Sequence, residues 1–207
     1  MKRGEEHDHL PFVGAVTVGI FGGTFDPIHT GHLILAERAR EELGLDVVLF
    51  MPALIPPHKI TGRKIASAEA RLDMIRLAIR DNPAFDVTEI ELVREGVSYT
   101  VDSLEELHGR APEARFVILM GSDNARDFAS WRQPDRILQL AEVAVWDRPG
   151  SYHWPEIYTD YIPKKISSPL IEISSTGIRN RVANGRSVRY LTPEPVRDYI
   201  ELHGIYC

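Results

Sequence analysis

The stretch that most constrains the fold is residues 19–32, which read GIFGGTFDPIHTGH. It contains four glycines, one proline and two histidines, and it directly follows the β-branched run VTV at residues 16–18. This order predicts a buried strand, a tight loop in which glycine permits the backbone turn, and then a helix. In α/β proteins such a loop brings backbone N–H groups and a helix N-terminus up to a phosphate. We therefore expect a phosphate site within residues 22–32.

The length and composition are those of an ordinary globular protein. The 207 residues, of which 43% are hydrophobic and 26% charged, are enough to bury a sizeable core without disulfides. Residues 1–14 are polar and show no period, so we expect them to form a flexible lead-in. Residues 15–207 contain no evident linker, and we expect them to form a single domain.

The same composition argues against several classes of protein. No apolar run approaches the roughly 18 residues that cross a bilayer, and the N-terminal segment lacks a signal-peptide pattern, so we expect no membrane contact. The single cysteine, Cys207, favours a reducing cytoplasm over a disulfide scaffold. The net charge of −6 argues against a nucleic-acid binder, which needs a basic face, but a local basic cluster can still bind a nucleotide.

Buried apolar runs alternate with helical patterns along the chain. Strands are predicted over residues 15–21, 47–51, 85–93, 115–120, 143–146 and 170–173. Helices are predicted over residues 33–44 and 67–81, and a short one directly after residues 98–100. Helical segments are also predicted through Trp131 and Leu140, in a helix that ends at 184–185, and in a last helix from 192–193 to near 204. This alternation predicts an α/β fold: a Rossmann-like parallel sheet with helices on both faces, plus a small C-terminal helical portion.

Polar loops follow most of the predicted strands, and ligands of such sheets bind beyond the carboxyl ends of the strands. These loops are residues 22–32, 56–59, 98–100, 121–123, 147–150 and 174–179. We expect them to line one crevice. In particular, residues 22–32 and 174–179 must face each other if they are to hold one ligand.

His29 and His32 are the first candidates for chemistry in this crevice. Their spacing puts both rings on one side of the first helical turn, and Gly22 and Gly23 let the backbone approach a phosphate. Free imidazole titrates near pH ~6.5, so a neighbouring polyphosphate would favour the charged form and make both rings good donors. Two alternatives stay open: a zinc site, which needs three or four ligands that the sequence does not supply, and a purely structural pair.

The segments GIFGGTFDPIHTGH at 19–32 and ISSTGIR at 173–179 together resemble the HxGH nucleotidyltransferase superfamily. Within it, the chain is similar to the bacterial nicotinate mononucleotide adenylyltransferases. PPHK at 56–59, SYT at 98–100, GSD at 121–123, Trp131 and DRPG at 147–150 occur in the same order as in that family. The resemblance extends from about residue 16 to the C-terminus.

The resemblance implies an enzyme that transfers the adenylyl group of ATP to nicotinate mononucleotide, giving nicotinate adenine dinucleotide and pyrophosphate, a step of NAD biosynthesis. The mononucleotide phosphate attacks the α-phosphorus in line, without a covalent enzyme intermediate, so catalysis is positioning and charge neutralisation. The implied cofactor is Mg²⁺, held mainly by phosphates and water, while Asp26 braces the loop and no protein metal site is expected. A homo-oligomer is possible.

The family motifs also imply roles for individual residues. His29, His32 and Arg179 would be catalytic, contacting the ATP phosphates and stabilising the leaving pyrophosphate. The implied ATP-binding set is Gly22, Gly23, Thr24, Phe25, His29, His32, Gly121, Asp123, Arg148, Ser174, Ser175, Thr176 and Arg179. The implied mononucleotide-binding set is Lys59, Ser98, Tyr99, Thr100, Trp131 and Arg132, with Trp131 stacking on the pyridine ring and backbone N–H groups near Thr100 and Arg132 receiving the carboxylate.

Each of these assignments has a plainer alternative. Residues 174–176 could serve only as a helix cap, Lys59 could be a solvated lysine, and Trp131 could be a core side chain. Gly177 and Arg132 differ from many relatives, which affects the preference between acid and amide acceptors. The competing functions are a pantetheine-phosphate adenylyltransferase or cytidylyltransferase of the same superfamily, and a catalytically silent nucleotide-binding module.

Overall fold

Six parallel strands form the sheet at the centre of the protein, in the order β3-β2-β1-β4-β5-β6. The computed structural model describes residues 10, 12, 14, 16–55, 65–94, 96–147, 154–167 and 169–207. The strands are β1 (Thr17–Gly23), β2 (Val47–Pro52), β3 (Phe85–Val87), β4 (Arg115–Gly121), β5 (Glu142–Asp147) and β6 (Lys164–Ser167). Most of the predicted lead-in, including residues 1–9, lies outside the described residues.

Helices lie between the strands and after the last strand. They are α1 (Thr30–Leu43), α2 (Ala68–Ile79), α3 (Ile90–Val93), α4 (Thr100–Arg110), α5 (Ser122–Arg126), α6 (Pro134–Leu140), α7 (Ser175–Ala183) and α8 (Glu194–Leu202), with 3₁₀ turns at Phe128–Ser130 and Glu156–Tyr158. Among the described residues, no helix is both long and apolar enough to span a membrane.

The central strands are apolar on both faces because both faces are covered by helices. Along β4, Phe116 and Ile118 belong to one core, while Val117 and Leu119 belong to the other, as expected when successive side chains point to opposite faces. Helices α4 and α6 cover the first core, and α1, α2 and α8 cover the second. The predicted fold class, including the helices at the C-terminal end, is thereby confirmed.

Helix α1 begins three residues before the predicted start, with His29 as its N-cap, and Gly44 at φ 62° ends it as predicted. Two strand predictions are wrong in part or in full. The predicted strand over 85–93 stops at Val87, because the hydroxyl of Thr88 accepts from the N–H of Ile90 (3.3 Å) and starts the short helix α3. Residues 170–173 are not a strand; the sixth strand is β6, in which only Ile166 is buried.

Strand β1 pairs with β2 on one side and with β4 on the other. From β1 the chain builds the sheet outward to β3 on one side, and from β4 it builds outward to β6 on the other, so the strand order reverses between β1 and β4. A crevice forms at such a switch point, beyond the carboxyl ends of the strands. Gly22 and Gly23 end β1 at this position, and Gly121 ends β4. The fold therefore brings the predicted phosphate loop to the edge of the sheet at which α/β proteins bind their ligands.

Candidate active site

The loop after β1 ends in a reciprocal cap formed by its two histidines. The backbone N–H of His32 donates to Nδ1 of His29 (3.3 Å), and the backbone N–H of His29 donates to Nδ1 of His32 (3.1 Å). The two rings stack with their centroids 3.6 Å apart. Two N–H groups at the start of α1 are satisfied in this way, as in a capping box built from serine and glutamate. Both histidines are therefore partly structural.

The same two bonds decide which ring nitrogen carries the proton. Each Nδ1 accepts a hydrogen bond, so the neutral rings of His29 and His32 carry their proton on Nε2. Burial lowers the pKa of His29 to about 4. Burial, together with the neighbouring His29, lowers the pKa of His32 well below its ordinary value. Without a bound anion both rings are neutral Nε2–H donors, and the charged form expected beside a polyphosphate needs the field of that ligand.

Gly31 lies against His29 and makes the close ring pair possible. A Cβ at Gly31 would be 3.1 Å from Nδ1 of His29 and 3.2 Å from Cγ2 of Ile171. Phe25 supports the pair from the other side, since its ring centroid is 5.1 Å from that of His32 in an edge-to-face arrangement. Phe25 itself is buried and belongs to the core, so its side chain supports the histidine pair from within the protein.

The start of α7 faces this loop across a shared cavity. The cavity has a volume of about 280 Å³ and is lined by His29, Gly31, His32, Leu35, Pro169, Ile171, Ile173, Ser174 and Ser175. Ser174 caps α7 by accepting from the N–H of Gly177 (3.1 Å), and the hydroxyl of Ser175 donates to the carbonyl of Pro27 (2.9 Å). The two segments that the sequence analysis requires to meet do face each other.

Arg179 extends from α7 back to the first loop. Its Nη1 donates to the carbonyl oxygen of Asp26 and lies 3.5 Å from the Asp26 carboxylate, and its Nη2 donates to the hydroxyl of Thr176 (2.7 Å). Residues 190–192 hold the loop as well, because Thr30 bonds to the carbonyls of Tyr190 and Leu191, and Thr192 bonds to Ile28. The loop after β1 is thus fixed by contacts from about 150 residues further along the chain.

A second cavity is lined by the first residues of the same loop, at the switch point between β1 and β4. Its volume is about 310 Å³, and its lining includes Gly22, Gly23, Thr24, Glu91, Ser98, Thr100, Asn124 and Trp131. Glu91 is buried, accepts from the hydroxyl of Ser103 (2.8 Å), and has its pKa raised by that burial. Helix α4 begins here at Thr100, which lines the cavity, and Tyr99 provides no side-chain cap for its first turn, so a helix N-terminus borders this cavity.

A smaller cavity of about 130 Å³ adjoins it and brings together most of the predicted mononucleotide residues. Its lining includes Ser98, Tyr99, Thr100, Trp131 and Arg132. Trp131 is not buried in the core and stands against Phe128, with ring centroids 5.4 Å apart. The Arg132 guanidinium lies 4.7 Å from the Tyr99 ring centroid and bonds to Asp102 (3.3 Å). An apolar ring and N–H donors therefore converge within one small space.

Several predicted residues lie away from these cavities or outside the described residues. Asp123 is exposed and pairs with Arg126, and Gly121 lies half-buried at the end of β4. Lys59 and Arg148, with their segments 56–59 and 148–150, lie outside the described residues. Within the described part of the chain, no group of three or more His, Cys, Asp or Glu side chains is arranged to hold a metal ion.

Sequence reasoning missed four residues that shape the site. Glu91 and Asn124 line the second cavity, and neither belongs to a motif. Arg71, almost fully buried, donates to the carbonyls of Thr24 (2.8 Å), Ala53 (2.8 Å) and Ala66 (3.2 Å). Tyr206 donates to the Asp26 carboxylate (2.7 Å). An arginine in the apolar stripe of α2 is the one signal that could have pointed to a buried cation.

Comparison with known proteins agrees with this geometry. Residues 20–181 match the cytidylyltransferase-like family. A probable nicotinate-nucleotide adenylyltransferase of Exiguobacterium sibiricum is 47% identical over 190 residues, covering 91% of this chain and 98% of the relative. One from Thermus thermophilus is 44% identical over 189 residues, covering 91% and 98%.

Solved structures agree at the level of the fold. Plasmodium falciparum nicotinic acid mononucleotide adenylyltransferase, complexed with NaAD, superposes with a TM-score of 0.75 at 18% identity, covering 92% of this chain and 97% of that one. A structure from Vibrio parahaemolyticus described as a putative nicotinate-nucleotide adenylyltransferase gives 0.67 at 20% identity, covering 92% and 95%. From the sequence relatives, which span nearly its whole length, the chain belongs to the nicotinate-nucleotide adenylyltransferase family of cytidylyltransferase-like proteins.

Proposed function

We propose that this protein transfers the adenylyl group of ATP to nicotinate mononucleotide, releasing pyrophosphate and forming nicotinate adenine dinucleotide. The observation that carries the proposal is the pair of cavities lined by the two ends of the loop after β1. Relatives at 41–47% identity are described as probable nicotinate-nucleotide adenylyltransferases. One cavity offers donors for a triphosphate, and the other offers an aromatic face and a helix N-terminus for an acceptor.

The phosphate half of the reaction rests on His29, His32 and the start of α7. The Nε2–H groups of the two rings would donate to phosphate oxygens of ATP, and the negative ligand would in turn draw the rings toward the charged form. Ser174, Ser175 and Thr176 begin a helix whose first N–H groups and dipole favour an anion. Arg179 would stabilise the charge that develops on the leaving pyrophosphate. Capping and phosphate binding are compatible roles for Ser174.

The acceptor half rests on the two cavities that contain Ser98, Thr100 and Trp131. A pyridine ring stacked on Trp131 would bring its carboxylate toward the uncapped first turn of α4, where backbone N–H groups can receive it. The mononucleotide phosphate would then lie near Gly22 and Gly23, in line with the α-phosphorus of ATP. Asp123, Gly121, Arg148 and Lys59 stay predicted contacts.

Mg²⁺ fits this donor set as a companion of ATP. The Asp26 carboxylate already accepts from Ala66 (3.1 Å) and Tyr206 (2.7 Å) and faces Arg179, so phosphate oxygens and water would be the main metal ligands. The bound ion would neutralise negative charge on the phosphates. We further propose that residues 15–207 act as one catalytic unit in the cytoplasm; association into a homo-oligomer is a prediction that sedimentation would test.

The test is a coupled pyrophosphate-release assay with ATP and each acceptor in turn: nicotinate mononucleotide, nicotinamide mononucleotide, pantetheine phosphate and, with CTP, a phosphorylated alcohol. We expect turnover with nicotinate mononucleotide to exceed turnover with the others. If nicotinate mononucleotide gave no pyrophosphate while another acceptor did, the protein would be another enzyme of the superfamily. Absence of release with every pair would point to a silent nucleotide-binding module.

His32→Ala tests whether this ring takes part in catalysis. Loss of one preorganised donor predicts a fall in kcat of roughly 10²–10³-fold, with the circular dichroism spectrum of the parent. His203→Ala is the matched control, since His203 is an exposed histidine that follows α8, and it should keep the parental rate. A His32→Ala rate within a few-fold of the parent would argue against a catalytic role for this ring.

A further inference from the structure

Asp26 is a buried carboxylate at the point where four segments of the chain meet. It is 4% exposed. Its Oδ1 accepts from the N–H of Ala66 (3.1 Å) and from the hydroxyl of Tyr206 (2.7 Å), while its Oδ2 lies 3.5 Å from Nη1 of Arg179. A buried carboxylate needs all its donors, because removal of one partner leaves an unpaired acceptor away from water.

Asp26 also determines where the Arg179 guanidinium lies. The Asp26 carbonyl accepts from Nη1 of Arg179, the same nitrogen that faces the carboxylate. Two groups of one residue therefore hold one nitrogen, and the hydroxyl of Thr176 holds Nη2. A rotation of the Asp26 side chain would remove the ion pair and loosen the guanidinium that the proposed reaction needs beside pyrophosphate.

Tyr206 reaches Asp26 through an unusual backbone path. Helix α8 ends at Leu202, Gly204 adopts φ 58°, and the N–H of Ile205 donates to the carbonyl of Ile200 (3.0 Å). Tyr206 itself has φ 71°, a left-handed conformation that is uncommon and costly for a side chain of this size. This costly conformation places the Tyr206 hydroxyl on the carboxylate of Asp26, 180 residues earlier in the chain.

We propose that Tyr206 is a positioning residue for adenylyl transfer: its hydroxyl fixes the Asp26 carboxylate, and through it the Arg179 guanidinium that binds the leaving pyrophosphate. The inference rests on the proposed function for its chemical meaning. It assigns a role in the triphosphate half of the site to the segment after α8, which shares no motif with the phosphate loops.

The test compares Tyr206→Phe with Tyr190→Phe. Tyr190 is a matched control, because it also has a left-handed backbone (φ 66°) and the residue is 89% exposed. Its contact with Thr30 is made by the backbone carbonyl, which Tyr190→Phe keeps. Loss of a hydrogen bond to a buried carboxylate predicts about a tenfold lower kcat for Tyr206→Phe, with the KM for nicotinate mononucleotide within about twofold of the parent. Tyr190→Phe should match the parent in both constants.

A double-mutant cycle shows whether Tyr206 acts through Asp26. Combining Tyr206→Phe with Asp26→Asn should give a rate within about twofold of Asp26→Asn alone, because both changes break one network. Additive losses, or a Tyr206→Phe kcat equal to that of Tyr190→Phe, would overturn the proposal. So would a lower melting temperature of Tyr206→Phe with an unchanged kcat well below that temperature, since the role would then be structural only.

The affinity for pyrophosphate tests the role of Tyr206 without relying on adenylyl transfer. Calorimetric titration with pyrophosphate should give a Kd about tenfold weaker for Tyr206→Phe than for Tyr190→Phe. A parent protein that transfers no adenylyl group to nicotinate mononucleotide would defeat the proposed function, and the pyrophosphate titration would still decide the role of Tyr206. Equal pyrophosphate affinities in the two variants would overturn the inference whatever the parent catalyses.

Discussion

Replacing His29 with asparagine should abolish the contribution of this histidine to the pH dependence of the free energy of unfolding. The cap of α1 should be kept. Nδ1 of His29 accepts from the N–H of His32 (3.3 Å), and an asparagine side-chain oxygen is a preferred acceptor at this position. The variant should therefore fold with nearly the parental free energy of unfolding above about pH 7.5. It should lose catalysis, because the Nε2–H donor is gone.

The magnitude follows from the lowered pKa of His29, about 4 in the folded protein against the ordinary 6.5. The unfolded chain binds the proton more readily, so the stability contributed by this residue is present above pH ~6.5 and is lost as pH falls toward ~4. At about 1.4 kcal/mol per pKa unit, the full difference is about 3 kcal/mol, of which about 2 kcal/mol is lost between about pH 7.5 and about pH 5.

Urea unfolding of both proteins at a series of pH values measures this difference directly. The parent should lose about 2 kcal/mol more than His29→Asn over that pH interval, and carboxylates that titrate in both proteins cancel in the comparison. A parent-minus-variant difference that stays constant with pH would refute the argument. It would mean that the folded protein binds a proton at His29 as readily as the unfolded chain does.

Two further perturbations probe the same loops. Gly31→Ala would place a Cβ 3.1 Å from Nδ1 of His29 and should lower kcat at least tenfold. The control is Gly109→Ala, whose Cβ would have no such neighbour within 4 Å. It should add up to about 1 kcal/mol to the free energy of unfolding and keep the parental kcat. Equal rates for the two alanine variants would contradict the tight contact. Ser174→Ala and Ser67→Ala each remove an N-cap and should each cost about 1 kcal/mol in urea unfolding. Only Ser174→Ala should also weaken ATP binding; equal ATP affinities would leave Ser174 as a cap alone.

The sheet could be predicted because its central strands are short apolar runs that end at glycine or proline. VVLFM before Pro52 and RFVILM before Gly121 are typical of strands buried on both faces. The edge strands lack that signal. In β6 only Ile166 is buried, while Ile171 and Ile173 are apolar because they line a cavity and not because they join the sheet. An apolar run alone does not distinguish these two uses.

The meeting of residues 22–32 with the start of α7 was predicted correctly, although the strand expected before α7, over residues 170–173, does not form. The hydrogen bonds that hold these two segments together could not be predicted from the sequence. Tyr206, Arg179 and Asp26 are separated by up to 180 residues, and no local pattern marks a tyrosine or an arginine as the partner of a particular carboxylate. The lowered pKa of His29 was also out of reach, because it depends on burial that a sequence pattern does not report.

Arg71 has a consequence for how the site can respond to a ligand. Its guanidinium binds carbonyls at the loop after β1, at the exit of β2 and just before α2. Ala53 and Ala66, on the two sides of residues 56–64, are thereby tethered to one rigid planar group. A ligand that displaces the loop after β1 must therefore also displace these two segments or break hydrogen bonds to a buried guanidinium, so the three segments respond as one unit.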